Sequence, residues 1–337
     1  MKQRVWLVEE PGGTFQPREI DRAVPGPNQA LVRIAACGVN PLDVKIRAGA
    51  AAHARQPLPA VLCLDMAGTV EETGPGVTAF QAGDEVYGMV GGVGGLPGTL
   101  GEFVTADADL LAHKPARLSM RQAAALPLAT ITAWEGLVDR ARVRAGQKVL
   151  IHAGAGGVGY VAIQIAQAFG ATVFATVSPE KRKLVEELGA SAIDYRSVPV
   201  EEYVNALTGG KGFDIVYDTV GGAALDASFA AVRRYSGHVL SCLGWGAHSL
   251  APLSFRGATY SGVFTLLPLL TGESRAHHGG ILSQARSIAE AGKLKPLLND
   301  RRFAVTDIEA AFAAVEAGSL GKVVVEMEAG SSRTSRM

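Results

Sequence analysis

Six residues, Gly154-Ala155-Gly156-Gly157-Val158-Gly159, constrain this chain more than any others because of what flanks them. Before them, Lys148 to His152 (KVLIH) is a short β-rich run of buried-strand type. After them, Val158, Val161, Ala162, Ile165 and Phe169 mark one apolar helix face. Gly170 closes that helix, and Thr172 to Val177 (TVFATV) reads as a second buried strand. From Val149 to Pro179 there is no Asp, Glu, Lys or Arg, a length that could span a bilayer. The glycines, with His152, Gln164 and Gln167, divide it instead into separate elements. Between a strand and a helix, G-x-G-x-x-G marks a dinucleotide site. Without Cβ atoms the backbone turns tightly, a pyrophosphate can approach the helix N-terminus, and the last glycine lets helix and strand pack closely. The competing interpretation is a glycine-rich turn with no ligand.

The alternation continues through a helix at Glu180 to Leu188, an extended Ala192 to Tyr195, and a helix near Val200 to Leu207. Phe213 to Asp218 is a strand, Ala223 to Arg233 a helix, His238 to Leu243 a strand, and Thr259 to Phe264 a candidate sixth strand. This pattern predicts a parallel sheet covered on both faces, with ligands at the carboxyl ends of its strands. The residues there are Gly154 to Gly159, Ser178, Thr219 to Gly221, and Leu243-Gly244. NAD sites place an Asp or Glu about 20 residues past the fingerprint to accept from the ribose 2′-OH. Here the second strand ends Thr176-Val177-Ser178, followed by Lys181 and Arg182, which suits the 2′-phosphate of NADPH. One charge-assisted hydrogen bond, ~1.5–3 kcal/mol, favours NADPH over NADH about tenfold or more. The alternative makes Ser178 a helix N-cap with Pro179 at N1 and leaves Lys181 to Lys183 as a solvated face.

The first 120 residues differ in texture, with strand-like runs at Arg4 to Val8, Ala30 to Ala36 and Ala67 to Glu71. Turn signals stand at Pro25-Gly26-Pro27, Gly74-Pro75-Gly76 and Gly83-Asp84. The chain closes with helices at Ile281 to Ala291 and Asp307 to Ala317 and a strand at Lys322 to Met327. Its tail, Gly330 to Met337, is expected to be disordered. Among 337 residues, 32 Lys plus Arg balance 32 Asp plus Glu, so no field points at nucleic acid or an anionic membrane. Met1 to Pro11 holds no secretory apolar core. Three cysteines (Cys37, Cys63, Cys242) exclude a disulfide framework and fit a reducing, cytoplasmic setting.

Taken together these segments resemble the medium-chain dehydrogenase/reductase superfamily, in its zinc-free quinone oxidoreductase branch. The match is carried by Cys37-Gly38-Val39-Asn40-Pro41-Leu42-Asp43, Leu64-Asp65-Met66-Ala67-Gly68 and Ala82-Gly83-Asp84-Glu85-Val86-Tyr87-Gly88. It continues in Ala125-Leu126-Pro127 through Thr132-Ala133-Trp134, the fingerprint itself, and Tyr217-Asp218-Thr219-Val220-Gly221-Gly222. The resemblance implies an α/β fold: a GroES-like β-rich catalytic domain (1–121), a Rossmann doubly wound parallel sheet that binds NADP (122–272), and a completion of the catalytic domain with the tail (273–337). It also implies a homodimer joined at the sixth-strand edges.

Zinc alcohol dehydrogenases of this superfamily place a Cys where this chain has Asn40 and a His where it has Leu64. Their structural zinc lobe needs four cysteines, and Gly88 to Glu102 has none. No metal is therefore expected, and His277-His278 is read as a helix-start pair. Without a Lewis acid, the accessible chemistry is hydride delivery from NADPH to an already electrophilic small molecule, a quinone or an enone. By resemblance Asn40 lies beside the nicotinamide and the acceptor, and Thr132, Leu243, Gly244 and Phe264 belong to the nicotinamide end. Gly154, Ala155, Gly156, Gly157, Val158 and Gly159 hold the pyrophosphate, which Lys322 also reaches; Ser178, Lys181 and Tyr195 take the adenosine phosphate. The family's Tyr after the Asn-Pro-x-Asp segment is missing. Water, Lys45, Arg47 and His53 remain as proton sources, and the specialised enoyl-thioester reductase is weakened. Alternatives are an enoyl-thioester or alkenal reductase with one metabolic substrate, for which Leu266 to Leu270 would line an acyl pocket, and a non-catalytic NADPH-binding protein.

Overall fold

Lys148–Ile151 (β1) becomes a central strand because Val149, Leu150 and Ile151 are apolar without alternation and must be covered on both faces. The computed structural model describes residues 1–327 and divides into two compact units. The tail expected to be disordered, Gly330 to Met337, lies outside the described residues.

The unit formed by Ala129–Thr265 and Ser287–Lys295 holds β1. Its other strands are Thr172–Val177 (β2), Ser191–Asp194 (β3), Ile215–Asp218 (β4), His238–Ser241 (β5) and Thr259–Gly262 (β6). All pair in parallel, in the order β3-β2-β1-β4-β5-β6, the doubly wound arrangement with its switch point between β1 and β4. Helix Gly157–Ala168 (α1) packs on β1 and β2 through Val161, Ala162, Ile165 and Ala166. On the β2–β1–β4 side, Leu150, Phe174, Phe213, Val216 and Phe229 form one apolar cluster, with the rings of Phe174 and Phe213 5.4 Å apart.

The other unit comprises Met1–Leu128, Leu266–Arg286 and the chain from Pro296 onward. Its seven-stranded sheet centres on Gln29–Gly38, which pairs antiparallel with Asp65–Thr73, with Phe103–Asp107 and with the C-terminal strand Val324–Glu326. Glu85–Met89, Leu111–His113 and Phe303–Ala304 complete that sheet. Gln16–Asp21, Lys2–Val8 and Ala60–Val61 make a second, three-stranded one.

Three local differences from the sequence reading have physical causes. The helix expected from Ile281 begins at Arg275; Gly279 and Gly280 mask the pattern, because a Cβ on Gly279 would come within 2.5 Å of the Asp109 carbonyl oxygen. Asn40, open to reading as a loop residue before Pro41, is the N-cap of helix Pro41–Arg47, with Pro41 at N1. Leu266 to Leu270, offered as a pocket wall, lies in and beside the short helix Leu267–Thr271, with Leu266 and Leu269 buried.

The fingerprint glycines differ in what they tolerate. A Cβ on Gly159 would run into the Ala153 carbonyl oxygen, whereas one on Gly157 would meet nothing within 4 Å. Gly159→Ala is therefore expected to lower stability by about 1–3 kcal/mol, and Gly157→Ala to leave it unchanged or slightly raised. Thermal melts of the two variants check this contrast.

Candidate active site

The loop after β1 is anchored from below. Gly154 N–H donates to Thr176 O (2.9 Å) and Gly156 N–H to Ala153 O (2.8 Å), which leads into the α1 N-terminus at Gly156 and Gly157. Ala153 takes a left-handed φ of 53°, a conformation L-residues rarely adopt, at the turn itself. His152 is buried beneath, with Nδ1 3.1 Å from the Thr176 hydroxyl; burial pushes its pKa down to about 4, so the imidazole is neutral.

Asp218, at the end of β4, holds two more loops of this sheet edge. Its carboxylate accepts from Val220 N–H (3.0 Å), Gly221 N–H (2.9 Å) and the Ser241 hydroxyl (2.7 Å). The Ser241 oxygen in turn accepts from Leu243 N–H (3.1 Å). Thr219 Oγ1 donates to His152 O (2.7 Å), tying the β4 loop to β1. Asp218, His152 and Thr176 went unremarked as site residues in the sequence. The signal available was a carboxylate ending an otherwise apolar strand.

Ser178 precedes the 3₁₀ turn Pro179–Lys181 as its N-cap, and Lys181 is exposed with no carboxylate partner among the described residues. Arg182 and Lys183 pair with Glu186 and Glu187 one turn on. Glu180 is held below the usual carboxylate range by the Ser178 hydroxyl and Arg196, whose guanidinium lies 2.9 Å from it. Arg196 also sits 5.8 Å from the Tyr195 ring centroid. Tyr195 follows β3 and Phe264 follows β6, both exposed, so Gly154–Gly159, Ser178, Tyr195, Leu243-Gly244 and Phe264 all stand after carboxyl ends of one parallel sheet. Thr132 lies on helix Pro127–Trp134, its carbonyl accepting from Tyr217 OH (2.7 Å) and its hydroxyl 3.0 Å from that of Thr265.

The β-rich unit carries a separate buried polar cluster. Register places Val324 opposite Gly38, so Lys322 and Asn40, 282 positions apart, become neighbours. Lys322 Nζ donates to Asn40 Oδ1 and to Asp65 Oδ2 (3.1 Å), while Asn40 Nδ2 donates to the same Asp65 oxygen (3.0 Å). Asp65 Oδ1 accepts from Leu128 N–H (2.9 Å). Asp43 Oδ2 accepts from Asn40 N–H (2.7 Å), and its Oδ1 is buried without a partner. Burial pushes Asp43 up to about 7 against the opposing pull of the Asn40 N–H and Lys322, and raises Asp65 in the same sense. Cys37, whose thiol donates to Thr99 O (2.7 Å), is raised to about 12 by burial, and Cys63 is raised likewise. The sequence points to Asn40 and, by resemblance, to Lys322 at a pyrophosphate, but carries no signal that joins either to Asp43 or Asp65. In the structure the Lys322 ammonium lies on Asn40 and Asp65. Arg47, one of the proton sources considered, is committed to Glu309 (2.7 Å) and Gly13 O (2.9 Å).

Family models match along the chain: the alcohol dehydrogenase GroES-like domain at residues 26–116 and the zinc-binding dehydrogenase domain at residues 157–270. A crystal structure of an alcohol dehydrogenase superfamily protein from Novosphingobium aromaticivorans is 55% identical, with a TM-score of 0.94 over 97% of this chain and 100% of that one. The chain belongs to the medium-chain dehydrogenase/reductase superfamily. Its α/β fold joins a GroES-like β-rich domain to a Rossmann sheet, and the superfamily's activity is nicotinamide-dependent oxidoreduction. A 2-methylene-furan-3-one reductase from Solanum lycopersicum is 35% identical, over 88% of this chain and 71% of its own. The quinone oxidoreductase of Coxiella burnetii is 27% identical at TM-score 0.78, over 97% and 99%. The phthioceranic/hydroxyphthioceranic acid synthase of Mycobacterium tuberculosis is 43% identical over 221 residues, 64% of this chain, and the chain spans about a tenth of its length.

An Asp whose folded-state pKa is raised contributes stability that is fully present below its unfolded value of 3.8 and is lost as pH rises through about 7. Asp43→Asn is therefore expected to flatten the decline in stability between about pH 4 and 7. Denaturant melts at stepped pH, wild type against variant, provide the check; equal slopes would remove Asp43 as the cause.

Proposed function

We propose that this chain is a reductase that uses NADPH to reduce quinones and other α,β-unsaturated carbonyl compounds without zinc. The observation that carries the proposal is the chemistry at Asn40: a neutral amide is held by Asp65 and Lys322 where, by the family resemblance, the zinc enzymes carry a thiolate. By the same resemblance Leu64 stands where they carry an imidazole. The two nearby thiols are held protonated by burial, which disfavours the thiolate that zinc requires. Among the described residues no group of three or more His, Cys, Asp and Glu is arranged to hold a metal ion.

The fingerprint fits a dinucleotide by an independent criterion. Gly157 opens α1 with free space where a Cβ would stand, so helix N–H groups can approach a pyrophosphate. Ser178 and Lys181 would receive the 2′-phosphate, Tyr195 would cover the adenosine, and Thr132, Leu243, Gly244 and Phe264 would bound the nicotinamide. When bound, NADPH supplies a hydride. Asn40 positions the acceptor by a hydrogen bond to its oxygen, and bulk water supplies the one proton that completes the product; for a quinone the species it protonates is the hydroquinone mono-anion, stabilised by aromatisation. The names of the tomato furanone reductase and the Coxiella quinone oxidoreductase support this substrate class. The proposal includes a cytoplasmic homodimer formed across β6, which pairs only with β5 in this sheet. No helix among the described residues is long and apolar enough to cross a membrane.

Steady-state assays with NADPH and NADH against quinones, enones and enoyl thioesters test the reading. Expected are turnover with quinones or enones, an NADPH preference of at least about tenfold that Lys181→Ala erodes, and no loss of activity after chelator dialysis. Gly157→Ala should weaken NADPH binding at unchanged Tm. NADPH binding without turnover of any acceptor, or one zinc per chain by elemental analysis, would sink the proposal.

A further inference from the structure

An asparagine amide can sit either way round, and the two orientations present opposite chemistry to a ligand. At Asn40 both neighbours decide the matter. Lys322 is an ammonium with donors only, so the amide atom facing it is oxygen; Asp65 accepts at one oxygen from that ammonium and at the other from Leu128 N–H, so the amide atom facing it is nitrogen. Flipping the amide would set its NH₂ against the ammonium and its oxygen against the carboxylate. Neither neighbour can swing away. Lys322's side chain is 12% exposed and Asp65's is fully buried, and Asp65 is further fixed by Leu128 N–H (2.9 Å) and, through its backbone carbonyl, by the Thr99 hydroxyl (3.0 Å). The Asn40 backbone is pinned separately, by its N–H to Asp43. This arrangement uses the amide oxygen on Lys322 and one Nδ2 hydrogen on Asp65, and it leaves the second Nδ2 hydrogen uncommitted among the described residues.

We propose that Asp65 and Lys322 are positioning residues that lock the Asn40 amide as a donor, so that its second N–H serves an oxygen of the substrate. This rests on the reductase reading above and narrows it. The favoured acceptors carry an oxygen that gains negative charge as hydride arrives, the carbonyl oxygen of a quinone or enone. Lys322 acts through Asn40 rather than on cofactor phosphate. Asp65 supplies the carboxylate that both orients the amide and keeps the ammonium in place.

The test compares Lys322→Met, Lys322→Arg, Asp65→Asn and the double variant Asp65→Asn/Lys322→Gln. Readouts are kcat, acceptor KM, NADPH Kd by fluorescence, and Tm. Expected is a fall in kcat of about tenfold or more for Lys322→Met and Asp65→Asn, with NADPH Kd within about twofold of wild type. Lys322→Arg, which keeps donors and charge, should recover most of kcat. The double variant keeps hydrogen bonding without the charges that dictate orientation and avoids a lone buried ion, so it folds where the single variants fail; it too is expected to lose kcat but not NADPH affinity. An NADPH Kd raised tenfold with kcat intact in Lys322→Met would assign Lys322 to the phosphates and overturn the proposal. So would unchanged kcat in the folded double variant. A wild-type protein that binds NADPH but reduces nothing would instead fail the reductase reading, and this inference with it.

Discussion

The buried pair of Asp65 and Lys322, 3.1 Å apart and 257 positions apart in the chain, is the constraint on which the β-rich unit turns. Neither charge is tolerable alone in that environment: removing one partner of a buried pair costs ~3–5 kcal/mol. The pair therefore ties the last strand to the first half of the chain, and the antiparallel register of Val324–Glu326 on Gln29–Gly38 serves that end. Val323, Val324 and Val325 are all buried, so the strand is apolar on both faces and its pattern alone does not set the register. A slip of one residue would carry Lys322 away from Asp65, so the ion pair selects the alignment that the apolar run leaves open.

How much of this was legible in the sequence follows from how local each signal is. The fingerprint, its strand and its helix fall between Lys148 and Ala168, so turn chemistry and periodicity sufficed to read them. The strand Gln16–Asp21 escaped because its residues are almost all exposed and show no alternation. Glu85–Met89 hid behind the turn signal Gly83-Asp84 and was noticed only as a family motif. The Asn40 cluster was legible only in part. Resemblance pointed to Asn40 and Lys322 separately, but nothing in spacing can join residues 282 positions apart. A better hint was present in Asp65 itself, a lone carboxylate in the otherwise apolar run Ala60 to Ala67. Such a residue needs a buried counter-charge.

Buried carboxylates recur in both units with different consequences. Asp218 has backbone N–H groups and a hydroxyl arranged around it, so it stiffens the loops after β4 and β5. Asp43 has one oxygen satisfied and one orphaned, and its carboxyl is raised to about 7. The difference is solvation by the protein. A carboxylate given several donors acts as a structural clamp, whereas one given too few becomes a site of strain whose charge state shifts near neutrality. Asp43 also caps the helix that begins after Asn40, so that strain bears on the residue the proposed chemistry uses.

Cofactor choice turns on a balance the sequence reading left incomplete. Beside Ser178 and Lys181 stands Glu180, a carboxylate that by itself would repel a 2′-phosphate or accept from a ribose hydroxyl. Its charge is already engaged by Ser178 and by Arg196, which follows β3 beside Tyr195. Arg196 thereby offsets Glu180. Glu180 and Asp194, whose carboxylate accepts from Arg196 N–H (3.0 Å), balance Lys181 and Arg196, so the NADPH preference proposed above rests on the placing of Lys181, unpaired among the described residues, rather than on a net positive field. Removing Arg196 would free the Glu180 carboxylate and turn the same corner toward the 2′-hydroxyl of NADH. On the proposed NADPH reading, selectivity depends on the pairing of Glu180 with Arg196 as well as on Lys181 itself.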